Sequence, residues 1–314
     1  MKINRFTKAV QSSSESRTAG RLGRSNVRLG NQPANFRMRR KLNLLLYLSA
    51  VIRCAHVAPL LLALAVIVPG ARAADTMKDA KPSIVLVHGA FADASGWGRV
   101  ILRLEEDGYT VTAVQNPLTS LADDVATTRR MIDAQKGNVV LVGHSYGGAV
   151  ITAAATDSPK VKALVYIAAF GPDAGDSLGA LLKSKAPSSI GPALVPDSAG
   201  FLYIDRAKFH DVFAKDVSDS ESRIMAATQK PISGPIFETP ISAPAWKTIP
   251  SWYLVATEDR AINPDLERFM AQRMGATTSE VKASHVAYIT RPKETVKVIE
   301  AAATAVANQF AAKP

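Results

Sequence analysis

Eight residues constrain this chain more than any others: Leu141-Val142-Gly143-His144-Ser145-Tyr146-Gly147-Gly148. They set a G-x-S-x-G pattern between an apolar, β-branched run and an Ala-rich helical stretch. Those flanks are the context in which the pattern means a sharp strand-to-helix turn. In such a turn the serine is held in a strained backbone conformation, and side chains two before and two after it would collide. Glycine is therefore needed at 143 and 147. Ser145 Oγ then projects from the sheet edge at a helix N-terminus, where the Tyr146 N–H faces developing negative charge.

The rest of the chain beyond residue 80 repeats the strand–helix alternation. Short apolar runs at Ser83–Val87, Tyr109–Val114, Val139–Val142, Ala163–Ala169, Trp252–Ala256 and Glu280–Ala283 read as strands. Helical patterns lie between them at Trp97–Asp107, from Ser120 with Asp123 as its capping partner, and at Tyr146–Thr156, Pro264–Met274 and Glu294–Phe310. Continuous apolar strands alternating with helices predict an α/β fold, a mostly parallel sheet covered on both faces. From about 171 to 246 the rhythm breaks into scattered Pro, Gly and short amphipathic pieces with no clear strand. An insertion there sits above the strands' carboxyl ends as a helical lid.

An unactivated serine hydroxyl is a weak nucleophile, so a base has to be found. Beyond the leader only His88, His144, His210 and His285 are available. His144 adjoins the serine and does not readily turn back to its Oγ. His210 falls in the lid. His88 ends the first strand and is expected to bond loop backbone. His285 follows the last strand and satisfies the order Ser…Asp…His. The orienting carboxylate belongs after the preceding strand, where Thr257-Glu258-Asp259-Arg260 offers Asp259. Glu258 and Asp265 stay open as rivals. The strand Val85-Leu86-Val87-His88-Gly89-Ala90 supplies a second oxyanion donor, the Ala90 N–H. Trp97 is expected to pack the first helix onto the sheet. His144, Phe91, Phe201, Tyr203 and Val286 are candidate substrate contacts, with Phe209 and Phe213 as further lid aromatics.

The formal charge of +11 invites a nucleic-acid reading, but its location removes it. Thirteen of the 38 basic and one of the 27 acidic residues lie in 1–73, which leaves 25 against 26 over 74–314. A near-neutral body lacks the electrostatic footprint of a nucleic-acid binder. Residues 1–37 are polar and aperiodic. Arg39, Arg40 and Lys41 then precede apolar runs at 42–52 and 58–69, and Ala71-Arg72-Ala73 ends the segment. That is the pattern of an export signal cut near Ala73, giving a periplasmic or secreted domain over 74–314. The rival is an uncleaved anchor. After cleavage no stable membrane association is expected. Cys54, the single cysteine, lies in this leader, so the body has no disulfide and no thiolate metal site.

The segments IVLVHGAFADASGW, VVLVGHSYGG, ALVYIAAFGPDAG, YLVATEDRAINPD and ASHVAYITRP resemble the plant methylesterase/hydroxynitrile lyase branch of the α/β-hydrolases and its bacterial carboxylesterase-like relatives. The resemblance runs from about Ser83 to the C-terminus and is weakest over 175–245. It implies Ser145, Asp259 and His285 as a triad, Ala90 and Tyr146 as oxyanion donors, and Asp259 over Glu258. Three positions separate the two chemistries of the branch. The lyases are implied to carry threonine, glutamate and lysine where this chain has Gly89, His144 and Val286. With no cation to hold departing cyanide, the expectation moves to hydrolysis of a small-molecule carboxylic ester through an acyl-enzyme, without metal or cofactor. A lyase on the same triad, or a ligand-binding protein with a vestigial triad, are the rivals. Substrate identity and oligomeric state stay open.

Overall fold

The computed structural model describes residues 81–311. The leader, its export-signal reading and Cys54 lie outside the described residues. The first strands follow the apolar runs: β1 (Ser83–Val87), β2 (Val111–Val114), β3 (Val139–Ser145) and β4 (Val161–Ala169). Three short strands come next, β5 (Leu194–Pro196), β6 (Phe201–Ile204) and β7 (Ile232–Ser233). The chain then returns to β8 (Ser251–Ala256) and β9 (Thr277–Val281). Six of them form one sheet in the order β2-β1-β3-β4-β8-β9, with every neighbouring pair parallel. All seven residues of β3 are buried, as a central parallel strand covered on both faces requires.

The helices are α1 (Gly98–Glu106), α2 (Leu121–Asp133), α3 (Tyr146–Ala154), α4 (Leu178–Lys183), α5 (Phe209–Phe213), α6 (Asp219–Thr228), α7 (Pro264–Arg273), α8 (Ala287–Thr290) and α9 (Pro292–Ala311). α1 packs against α9, and α2 against α3. Ser120 caps α2 by accepting the Asp123 N–H at 3.1 Å. Asp123 answers through the Ser120 hydroxyl rather than its backbone N–H. Among the described residues no helix is long and apolar enough to cross a membrane.

Two sequence expectations change. The last strand lies at Thr277–Val281 rather than Glu280–Ala283. It is an edge strand with four of its five residues exposed, so it carries no apolar code. The segment between β4 and β8 is not purely helical. Its helices α4, α5 and α6 accompany an antiparallel sheet of order β5-β6-β7. Strands of two to four residues are too short to display a period. The hairpin joining the first two is set by its turn: Asp197 Oδ1 accepts the N–H groups of Ala199 and Phe201, and Gly200 takes φ +82°.

Candidate active site

β3 ends in Ser145 at φ 54° and ψ −123°, a region that L-residues occupy only under constraint. The constraint is close packing. A Cβ on Gly147 would lie 2.4 Å from the Val87 carbonyl oxygen, and one on Gly143 would lie 2.5 Å from the Gly147 oxygen. The helix α3 is thereby drawn onto β1 and β3. Tyr146 is the first residue of α3, so its N–H has no partner within the helix. Its ring is anchored away from the turn, because the Tyr146 hydroxyl donates to Asp124 Oδ2 at 2.6 Å.

On the neighbouring strand the His88 ring shapes the Gly89–Ala90 peptide. Nδ1–H of His88 donates to the Gly89 carbonyl at 2.8 Å, and Nε2 accepts the Asn116 N–H at 2.9 Å. Asn116 Nδ2 returns to the His88 carbonyl at 3.0 Å. The carbonyl gripped by His88 belongs to the same planar unit as the Ala90 N–H, so its orientation is fixed with it. Burial holds the His88 imidazole down, to about 4, and both nitrogens serve the neutral ring. Stability should therefore drop as pH falls from 6.5, where an unfolded histidine begins to protonate, toward 4. The contribution is on the order of 3 kcal/mol. His144 is shifted the same way, with burial as the first cause. Urea midpoints measured from pH 7 to 4.5 should fall more steeply in the wild type than in H88Q. Equal slopes would contradict the assignment.

His285 and Asp259 meet as the sequence expectation placed them. His285 Nδ1 donates to Asp259 Oδ2 at 2.5 Å, with both side chains fully buried. Asp259 Oδ1 accepts the N–H groups of Ala261 and Ile262 at 2.7 and 2.9 Å, which fixes the carboxylate in its turn. The rivals point elsewhere. Glu258 pairs with exposed Lys282, and Asp265 with Arg268. His210 lies in the insert against Asp219 and the Val217 carbonyl. Nε2 of His285 is buried with no hydrogen-bond partner among the described residues. The bond to Ser145 Oγ is therefore open in this state; such bonds tighten when a substrate is bound.

His144, a candidate substrate contact, is held by the backbone of the histidine loop. It is fully buried, its Nε2–H donates to the His285 carbonyl at 2.8 Å, and the two rings lie 4.7 Å apart. It thus joins the serine turn to the histidine loop. Trp97 packs at 4.6 Å from Tyr288 behind it, consistent with a packing role. Phe91 is buried at φ 60° and meets Phe213 edge-on at 6.3 Å. Phe213, from α5, lies 4.9 Å from the His285 ring and 5.1 Å from Phe209. Val286 is buried. Phe201 and Tyr203 stand half-buried on β6, and no ring contact ties them to this cluster among the described residues.

Sequence reasoning missed the clasp between insert and site. Asp216 accepts the Ser284 hydroxyl and, at 2.8 Å, that of Thr290, on either side of His285. Arg260 bonds Asp211 at 2.6 Å, next to Asp259. Lys230 bonds the Asn116 carbonyl, and Ser233 N–H the Leu118 carbonyl at 2.9 Å. The loops carrying His285 and Asp259, and the 116–118 segment bonded to His88, are thus tied to 205–233. These are ordinary polar residues in an irregular segment, and nothing in their spacing announced the pairing.

The model of the α/β hydrolase family matches residues 84–298, and the chain belongs to that family. It is similar to α/β hydrolase nvfD of Aspergillus novofumigatus, 27% identical over 71% of this chain and 97% of that protein. It is also similar to methylesterase 2 of Arabidopsis thaliana, 29% identical over 60% of this chain and 83% of the relative. A pyrethroid hydrolase from Sphingobium faniae superposes with a TM-score of 0.64 at 22% identity, covering 72% of this chain and 99% of its own. That last likeness is one of fold.

Proposed function

We propose that this protein is a serine hydrolase that cleaves carboxylic esters of small, largely apolar substrates through an acyl-enzyme. The observation that carries the reading is the buried His285–Asp259 hydrogen bond, joined through His144 to the strained turn that presents Ser145. His285 takes the Ser145 proton as Oγ attacks the ester carbonyl. The N–H groups of Ala90 and Tyr146 hold the oxyanion, each worth on the order of 3 kcal/mol. His285 then gives the proton to the leaving alkoxide. Water, deprotonated by the same ring, releases the acid and restores Ser145. Similarity to a methylesterase supports this chemistry.

The lyase alternative is disfavoured by space as well as charge. A Cβ on Gly89 would stand 2.6 Å from Ser145 Cβ and 2.9 Å from the His144 carbonyl oxygen, so a threonine does not fit. Val286, buried after the histidine, offers no cation.

We further propose that the 171–246 insertion is the lid and that α5 is its moving part. Ser145 is only 6% exposed, so an ester enters when the Phe209–Phe213 segment lifts. The aromatic wall of Phe91, Phe209 and Phe213 then sets the acyl pocket. Phe213→Ala should move the preference within a p-nitrophenyl ester series toward longer acyl chains, at a stability cost of about 3 kcal/mol. An unchanged chain-length profile would remove Phe213 from the pocket. Absence of turnover across the whole series would remove the esterase reading. The leader's export role is proposed with it, and a mature N-terminus at Ala74 would support it.

A further inference from the structure

Glu267 lies on the buried face of α7 with Leu266, Met270 and Ala271, and it is completely excluded from solvent. Its Oε2 accepts the Ala256 N–H at 3.1 Å, at the end of β8. Its Oε1 is equally buried, and no N–H or O–H donor among the described residues reaches it. The carboxyl group neighbours the Asp259 carboxylate, whose charge acts on it across the end of β8. Two carboxylates cannot hydrogen-bond each other without a proton between them. Three N–H donors converge on Asp259, the surroundings of an anion. Glu267 has one donor, and its orphaned oxygen is satisfied at once if it carries hydrogen.

We propose that Glu267 is a buried carboxylic acid that donates its Oε1 proton to the Asp259 carboxylate, positioning the acid of the triad and tempering its charge. Burial pushes the Glu267 carboxyl well above the usual range, and the neighbouring Asp259 charge adds to it. The other groups facing it do not reverse this. Arg268, on the same helix, is turned to the surface and engaged by Glu280 and Asp265. Tyr253, on β8, gives its hydroxyl to the Ala169 carbonyl, and Tyr166 stacks on it at 5.9 Å. A neutral donor withdraws part of the negative charge with which Asp259 holds the His285 imidazolium. Glu267 is thus a positioning residue, and its catalytic consequence rests on the serine hydrolase reading above.

Infrared spectroscopy tests the proton without turnover. The full-length protein at pH 7.5 should show the C=O stretch of a protonated carboxyl group that is sensitive to D2O and missing in E267Q. No such band overturns the proposal, whatever the protein hydrolyses. The pH profile tests the positioning. In E267Q the amide still donates to Asp259, so the acid limb of kcat/KM for p-nitrophenyl acetate should stay in place. In E267L the donor is gone, the imidazolium is better held, and the limb should rise by about 0.5–1 pH unit, with kcat reduced on the order of tenfold. A downward move of the limb in E267Q would mean that a negative charge had been removed, and would overturn the proposal. Should S145A retain turnover, the hydrolytic reading fails while the infrared result still stands or falls alone.

Discussion

S145A should lose at least about 10⁴-fold in kcat for p-nitrophenyl acetate while unfolding at the same temperature as the wild type. The size of the loss follows from what remains. With Oγ gone, no atom in the site can accept the acyl group. The Ala90 and Tyr146 N–H groups can still stabilise attack by water, so a residue of activity over the uncatalysed reaction persists. The fold has no stake in Oγ, because it makes no hydrogen bond among the described residues, and alanine can hold the same φ of 54° at a cost already present. Stopped-flow release of p-nitrophenol decides it. Turnover within tenfold of wild type would show that Ser145 is not the nucleophile.

The largest stability effect is expected at Gly147. Its absent Cβ would stand 2.4 Å from the Val87 oxygen and 2.9 Å from the His88 oxygen, both backbone atoms of β1 and its continuation. A flexible side chain could swing aside, but a strand paired on both sides within the sheet cannot. G147A must push α3 away from β1 or bend the strand, and overpacking of this kind costs about 3 kcal/mol or more. The displacement would also move Tyr146 N–H and the His88–Gly89 loop, so activity should fall with stability. Urea unfolding measures the first and ester turnover the second. A variant as stable as the wild type would show that the serine turn is looser than its packing indicates.

Sequence reading went furthest where physics is local. β1, β3 and β4 announced themselves as apolar runs because both of their faces are covered. Ser145 was marked by the glycines its turn requires, and His285 and Asp259 by their places after β9 and β8. β9 was misplaced because an exposed edge carries no hydrophobic signature. β5, β6 and β7 went unseen because two to four residues cannot show a period. Asn116 and Asp216 act through contacts 28 and 68 residues along the chain, which no pattern encodes. Glu267 left one visible trace: it interrupts the apolar face that Leu266, Met270 and Ala271 form on α7, where an acid needs a partner. Aromatic content alone did not say which rings meet: Phe213 packs on His285, while Phe201 and Tyr203 stand half-buried on β6.

The ties from Asp216, Asp211 and Lys230 hold the insert to the loops of His285 and Asp259 and to Asn116, the partner of His88. On the proposed lid reading, opening for substrate would loosen these same loops.

The decisive measurement is chemical quenching in acid during steady turnover of p-nitrophenyl acetate, followed by peptide mass analysis. The expected result is one acetyl group per chain, on the peptide containing Ser145, absent from S145A. Sustained turnover with no acyl group ever found on Ser145 would contradict the mechanism.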